Sequence, residues 1–589
     1  MLKFKKSVKN PMLYINYLQE KSNQIKKIVY DLFQIDDIQE NLVEFPEKEE
    51  FGDLTTNIAM LLSKRLKQSP RSIAEQIILK IKEKILEIEK IEIVGSGFIN
   101  CFINKKQWLN IIKEILNQEK NYGKNNIGQN KKVNNEFCSA NPTGPLHLGH
   151  VRGAIYGDVM ARILKFSHYQ VDNEYYINDL GGQIETLIQT VFLRYKELFG
   201  EKIILSEGLY PGEYLINVAK NLQKQFGNSL LSKSFGEIKN LLHKPVIDQM
   251  INIIKSDLEK LNIHFDIWTY ESEITNSSLM NESLNILKAK NLIYRGILEK
   301  PKGEKDEDWE SREQELFKST EFGDDVDRAM KRSDGQWAYF AKDVAYHYDK
   351  IKRNYDWLIL EVGIDHNGYK KRMIAAVNAL SDSKQKFSFE YHNMVYLLSN
   401  GEQQKMSKRS GKLIGIDDIL KEMNSGVLRF YMMSKRHDVE LEFDIKKINE
   451  ASKNNPYFYI QYGHARASSI LRKAEQIEHN LSLQENEFNG IIEKMNINEI
   501  KLIKKLIMWP ECIRIACEKL EPHRINFYLQ DLASDFHNLW NLGNNDPALL
   551  FINKSDHLAT KYRINIVKAT KQTIANGLKL MGIEPLELM

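Results

Sequence analysis

The sequence predicts a multidomain protein. An α/β module comes first, a Rossmann-like doubly wound domain with a helical insertion second, and an all-α region last. Three observations predict this. Short apolar runs alternate with helix-period segments between residues 133 and 400, the grammar of a parallel sheet with crossover helices. The alternation stops near residue 451, and helical patterning runs on to Met589. Between the first two parts, EKNYGKNNIGQNKK (119–132) is rich in Asn, Gly and Lys and nearly devoid of apolar residues, so it reads as a linker. The expected division is 1–118, the linker 119–132, then 133–450 with an insertion at about 184–335, then 451–589.

Composition narrows the class. Of 589 residues, 42% are hydrophobic and 28% charged, which is ordinary for a globular protein, and no apolar run reaches the roughly 20 residues that span a bilayer. The net charge of +4 permits a nucleic-acid partner without requiring one. Cys101, Cys138, Cys512 and Cys517 form no C-x-x-C pair, so neither a disulfide framework nor a zinc knuckle is expected, and a reducing, cytoplasmic setting fits.

Taken in order, residues 16–33 read as an amphipathic helix. A second helix begins near Asn57, with Thr55 or Thr56 placed to cap it, and IEIVGSGFINCFI (91–103) reads as strand with glycines at a bend. Residues 133–138 predict a buried strand, followed by SANPTGPLHLGH (139–150) and a helix whose stripe is Val151, Ile155, Val159 and Ile163. VDNEYYINDLGGQ (171–183) repeats the strand-turn pattern. The block to about 335 is helical and polar, and 300–332 is a run of both charge signs expected at the surface. QWAYFAKDVAYHYDKI (336–351) reads strand then helix, as does DWLILEVGIDHNGYKKRMIAAV (356–377). NMVYLLSNG gives one more strand before the polar loop QQKMSKRSGK (403–412). After 451, aromatic and basic residues interleave at Tyr459, Tyr462, His464 and Arg466 and again in FHNLWN, a pattern able to stack unpaired bases or simply to pack a bundle.

The chemistry is expected at strand ends. His147 and His150 stand at a strand-to-helix junction whose first N–H groups lack partners, which favours phosphate; the alternative is a tight turn with two surface histidines. Asp343, Asp365, His366, Lys405 and Lys408 fall at or near other strand ends, where ligands of doubly wound sheets sit.

HLGH paired with KMSKR resembles the signature of class I aminoacyl-tRNA synthetases. SANPTGPLHLGHVRGA, EYYINDLGGQ, YPGEY, FGDDVDR, SDGQWAYFAKDVAYH, NPYFYIQYGHAR and GSGFIN narrow the resemblance to the arginyl-tRNA synthetase family, from about residue 51 to the C-terminus. That resemblance implies an N-terminal module touching the tRNA elbow, a catalytic domain and a helical anticodon-binding domain. It implies arginine activation by ATP, brought as its Mg2+ complex, and transfer of arginine to tRNA(Arg), with no tightly bound metal or organic cofactor, no membrane, and a monomer. His147, His150, Lys405 and Lys408 would be catalytic, and Gly149, Met406, Ser407 and Asp365 would line ATP. Glu136, Ser139, Asn141, Tyr339, Asp343 and His366 would hold arginine, with Glu136 taking its α-ammonium. Asn57, Tyr459 and Tyr462 would contact tRNA. Arginine cannot shed its proton, so its pocket needs a counter-charge, for which Asp343 is the candidate, with an N-cap as its other reading.

Lys405 is present here, whereas many members of that family lack the first lysine of the loop. Three other readings stand beside this one: a synthetase for another amino acid, a non-catalytic RNA-binding paralogue, and a nucleotidylyltransferase. The missing zinc spacing counts against a cysteinyl enzyme, two intact signature loops against the paralogue, and the large helical C-terminal region against the nucleotidylyltransferase.

Overall fold

A computed structural model describes residues 17–38, 42–46, 48–298, 312–399, 402–403, 415–452, 454–477 and 481–589. Its centre is a five-stranded, wholly parallel sheet. The strands are β1 (Lys132–Glu136), β2 (Gln170–Ile177), β3 (Ile267–Tyr270), β4 (Trp357–Gly363) and β5 (Lys386–His392), ordered β5-β4-β1-β2-β3. The chain builds outward from β1 to one edge, then returns to build β4 and β5 on the other side. The direction reverses between β1 and β4, and the crevice beyond their carboxyl ends is where doubly wound sheets place ligands.

β1 is central yet polar, and its neighbours explain how that is tolerated. Asn134 donates to Glu174, and the Asn135 amide donates to the Gly157 carbonyl at 3.0 Å and to Asn173 Oδ1 at 3.1 Å. Buried polar groups are stable when satisfied in this way. The helix after β1, Leu148–Phe166, buries Val151, Ile155, Val159 and Ile163 as its spacing predicts.

Several expectations change. The stretch 184–335 is not one insertion, because β3 returns to the central sheet between its helices (Tyr214–Phe226, Phe235–Lys260) and a small antiparallel sheet of Ile293–Gly296, Gln314–Phe317 and Arg328–Lys331. Within the charged run expected at the surface, residues 300–311 lie outside the described residues, while Phe317 and Met330 are fully buried. Residues 336–338 form no strand beyond a Lys331–Trp337 bridge. Val395–Ser399 is a strand, but of a separate sheet with Glu402–Gln403 and Leu441–Asp444. In the N-terminal module, Thr55 and Thr56 lie in the strand Leu54–Thr56, which pairs with a hairpin of Ile88–Val94 and Phe98–Ile103.

The expected linker is packed. Tyr122 is fully buried, its hydroxyl donates to the Leu506 carbonyl at 2.8 Å, and the Trp509 indole N–H donates back to the Tyr122 carbonyl at 2.9 Å. Asn576 adds a bond to the Glu119 carbonyl at 3.1 Å, and Lys504 pairs with Asp53 at 2.7 Å. Composition suggests solvent here, yet one tyrosine suffices to anchor the segment to the last domain. That domain is helical, built on Pro456–Glu475, Ile497–Ile507, Trp509–Lys519, His523–Asn545 and His557–Leu580. Arg429 locks it to the central domain: buried, it pairs with Asp158 and donates to the Leu261 and Met581 carbonyls at 2.8 and 2.7 Å. Among the described residues no helix is long and apolar enough to cross a membrane.

Candidate active site

The chain leaves β1 through two consecutive left-handed residues, Cys138 (φ +67°) and Ser139 (φ +34°). Neither is glycine, so each conformation carries strain of about 1 kcal/mol or more, the kind held in place at functional turns. Surrounding bonds fix the turn. Ser139 Oγ accepts from the Tyr176 N–H at 3.0 Å, and the Tyr175 and Tyr214 hydroxyls donate to the Ala140 and Thr143 carbonyls at 2.9 and 2.7 Å. Asn141 donates to Gln183 at 3.2 Å, and the Leu146 N–H donates to Asp257 Oδ2 at 3.0 Å.

This delivers His147, in extended conformation, to the N-cap of the Leu148–Phe166 helix. The His147 N–H donates to His150 Nδ1 at 3.4 Å, and the two rings stack 3.7 Å apart. Among the described residues a Cβ at Gly149 would meet only the His147 ring, at 3.1 Å. One turn further, a Cβ on Gly153 would fall 2.7 Å from the His392 ring and 2.8 Å from Glu361 Oε2. Those two side chains form a buried ion pair at the ends of β5 and β4, and Glu361 holds the His392 imidazole above its ordinary pKa although burial pulls it down. The helix therefore starts flush against the sheet at the reversal point.

Lys405, Met406, Ser407 and Lys408 lie outside the described residues. The ends of their loop are placed: Glu402–Gln403 pairs with Leu398–Ser399, and Gly415 makes an antiparallel bridge with His147. Gly415, beyond the end of that loop, thus lies beside the first signature.

A carboxylate cluster flanks this turn. Asp343 is half-buried, five residues into the Tyr339–Lys352 helix; Ala338 holds the N-cap, so the capping alternative is excluded. Among the described residues the Asp343 carboxylate makes no ion pair. Burial first, then the Glu271 and Glu136 carboxylates, push it up to about 7, against Arg372 and Lys342. Glu271, buried at the end of β3, accepts from Lys342 Nζ at 2.5 Å. Tyr339 lies one turn before Asp343 and is 56% exposed; burial and Asp343 push its phenol up to about 12, so it remains a donor.

Glu136 departs from expectation. Expected to take the arginine α-ammonium, its carboxylate already has a cation, the fully buried Lys350, which pairs with it from the Tyr339–Lys352 helix. Asp365 and His366 are exposed on the short turn after β4, 3.5 Å from one another. The His366 ring lies 5.7 Å from that of Tyr369, against which Arg372 stacks at 4.3 Å. The pair therefore stands at the rim of the crevice rather than inside the carboxylate cluster.

Sequence reading missed Glu271, Lys342, Lys350 and the Glu361–His392 pair. Glu271 follows a strand of only four residues, and the two lysines lie on a helix whose charges resemble those of a solvent-facing surface.

The tRNA candidates are elsewhere. Asn57 is exposed at the N-terminus of the Ile58–Leu66 helix and makes no capping bond; Thr56 Oγ1 takes the Ile58 N–H at 3.2 Å. Tyr459 and Tyr462 border the His537 ring at 4.4 and 5.8 Å, and Arg466 stacks on Tyr462 at 4.4 Å and on Trp540 at 5.1 Å. This is a partly exposed aromatic and cationic surface.

A parallel sheet with a histidine-bearing turn at its reversal point defines the catalytic fold of a class I aminoacyl-tRNA synthetase. The family model "tRNA synthetases class I (R), catalytic domain" matches residues 111–453, flanked by "Arginyl tRNA synthetase N terminal domain" over 19–103 and "DALR anticodon binding domain" over 460–589. A methionyl-tRNA synthetase structure from Mycobacterium tuberculosis shares the fold alone, at 10% identity and a TM-score of 0.51 over 77% of this chain and 91% of that one. The arginine–tRNA ligase of Wolbachia pipientis wMel is 45% identical over 93% of this chain and 94% of its own. That of Ehrlichia chaffeensis is 44% identical over 95% and 96%. The Thermus thermophilus arginyl-tRNA synthetase structure shares the whole fold, with a TM-score of 0.73 at 20% identity over 97% of this chain and all of that one. The chain belongs to the arginyl-tRNA synthetase family.

Proposed function

We propose that the chain ligates L-arginine to tRNA(Arg) using ATP, with the carboxylate cluster as the guanidinium pocket. The arginine carboxylate attacks the α-phosphorus of ATP, the bond to the bridging oxygen breaks, and pyrophosphate leaves. A hydroxyl of the terminal ribose of tRNA then attacks the adenylate carbonyl, and AMP leaves. His147 and His150 donate to phosphate oxygens beside the helix N-terminus, and Lys405 and Lys408 neutralise the departing pyrophosphate, since such sites act chiefly by positioning and charge. Gly149 admits the nucleoside, while Met406, Ser407 and Asp365 line it. ATP arrives with Mg2+.

One observation carries the arginine assignment: Asp343, half-buried and without an ion pair among the described residues, is pushed up to about 7 beside Glu271. A permanent cation placed there offsets that cost. Asp343 and Glu271 hold the guanidinium and Tyr339 covers it, while Ser139, Asn141 and His366 border the α-amino and carboxylate end. Glu136 acts from behind, through Lys350. Asn57 touches the tRNA body, and Tyr459 and Tyr462 touch anticodon bases. The reading goes with a cytoplasmic monomer.

The test is aminoacylation across the amino acids with total tRNA. Arginine alone is expected to be charged. Asp343→Ala should raise the arginine KM by about 100-fold or more while the ATP KM moves only a few-fold. Charging of a different amino acid, or equal loss for both substrates, would sink the assignment.

A further inference from the structure

We infer that Lys260 is a positioning residue for the nucleotide half-reaction, tying the turn before His147 to the segment that leaves the second signature loop. Lys260 ends the Phe235–Lys260 helix, and its Nζ lies 3.4 Å from Asp257 Oδ1 and donates to Asp417 Oδ1 at 2.5 Å. Asp257 is buried, and its other oxygen accepts the Leu146 N–H at 3.0 Å. Asp417 lies two residues after Gly415, which bridges to His147. The contacts close a ring: Leu146, Asp257, Lys260, Asp417, Gly415, His147. One lysine therefore ties the turn before the first signature to the Gly415–Asp417 segment from a third element.

Leu146 and Asp257 of this ring are buried, while its Lys260–Asp417 side reaches the surface. It edges an open groove of 1020 Å³, lined also by Tyr214, Asn217 and Asn252, and Asp417 is 65% exposed. Lys260 is itself exposed, and removing it strips Asp257 of its cation. Burial already raises the Asp257 pKa, so loss of the lysine favours the protonated carboxyl and weakens its hold on the Leu146 N–H. Asp418 and Glu213 also line the groove; among the described residues that line it the other cation, Lys421, is engaged with Asp418 at 3.0 Å.

The inference rests on the ATP reading of the histidine turn, and arginine-dependent ATP–pyrophosphate exchange by the wild-type full-length enzyme, with tRNA present, tests that reading by itself. Given exchange, Lys260→Met is expected to lower kcat/KM for ATP roughly 10-fold with the arginine KM within about twofold. Lys260→Arg, which still reaches both carboxylates, should recover most of the loss. Asp417→Asn should fall between, because an exposed partner contributes less. Unchanged ATP kinetics in Lys260→Met would overturn the inference. So would equal losses for ATP and arginine, or a loss that tracks melting temperature and is not rescued by arginine at 260.

Discussion

Asp343 sets a pH dependence whose sign follows from its position. Its carboxyl is raised to about 7 in the arginine-free protein, well above the ordinary value near 3.9. Between about pH 4 and 7 the folded chain thus holds a proton that the unfolded chain has released. This contribution to stability is present at low pH and is lost as pH rises toward 7. Binding runs the other way, because the guanidinium favours the ionised form. The arginine KM should therefore fall as pH rises to about 7, by at most about tenfold per unit, and then level off. Arginine KM values measured across pH 6–9 check this, and a flat profile would argue against Asp343 as the counter-charge. In Asp343→Asn the profile should flatten, and the arginine-free protein should melt a few degrees higher at pH 8. At this scale the sequence shows the polar residues that its motifs single out, such as His147 at its turn and Asp343 in its helix. It hides Lys350, whose charge on a lysine-rich helix looks exposed until β1 places Glu136 against it.

Among the elements, the Leu148–Phe166 helix is the most constrained, because it must begin at the nucleotide and lie on the sheet at once. Gly153 is where those demands meet, and no side chain fits between that helix and the Glu361–His392 pair. Gly153→Ala forces the buried pair or the helix to move, a change of about 1–3 kcal/mol by the usual cost of overpacking. Exchange activity should drop about tenfold and the melting temperature by a few degrees; an alanine variant matching wild type in both would show the contact is slack. The apolar stripe of this helix was legible, as were β2 and β4. Both edge strands, β3 and β5, were not. β3 has four residues, and β5 alternates Phe387, Phe389 and Tyr391 with polar residues, so neither gives the continuous apolar run of a buried strand. β1 was legible as a buried strand at 133–138 despite its polar residues.

On the scale of the whole molecule, the first and last domains are joined through the segment that looks most like a tether. Its Asn, Gly and Lys content conceals how much one aromatic residue can do when Trp509 waits for it. Deleting residues beyond 450 therefore removes the N-terminal module's support as well as the tRNA surface, so point changes report more cleanly. Tyr462→Ala and Arg466→Ala should each raise the tRNA KM several-fold, at about 1–3 kcal/mol per lost base stack, with tRNA-present arginine and ATP constants little changed. Unaltered tRNA KM values would assign that cluster to packing alone.

The Tyr122 contact also orders events in time. Its partner Leu506 lies 384 residues further along the chain. At roughly 5–20 residues per second, a ribosome takes about 20–80 s to cover that distance. Throughout that interval the helix Lys105–Gln118 waits for the C-terminal helices that cover it in the finished fold, so its apolar face is completed only at the end of synthesis.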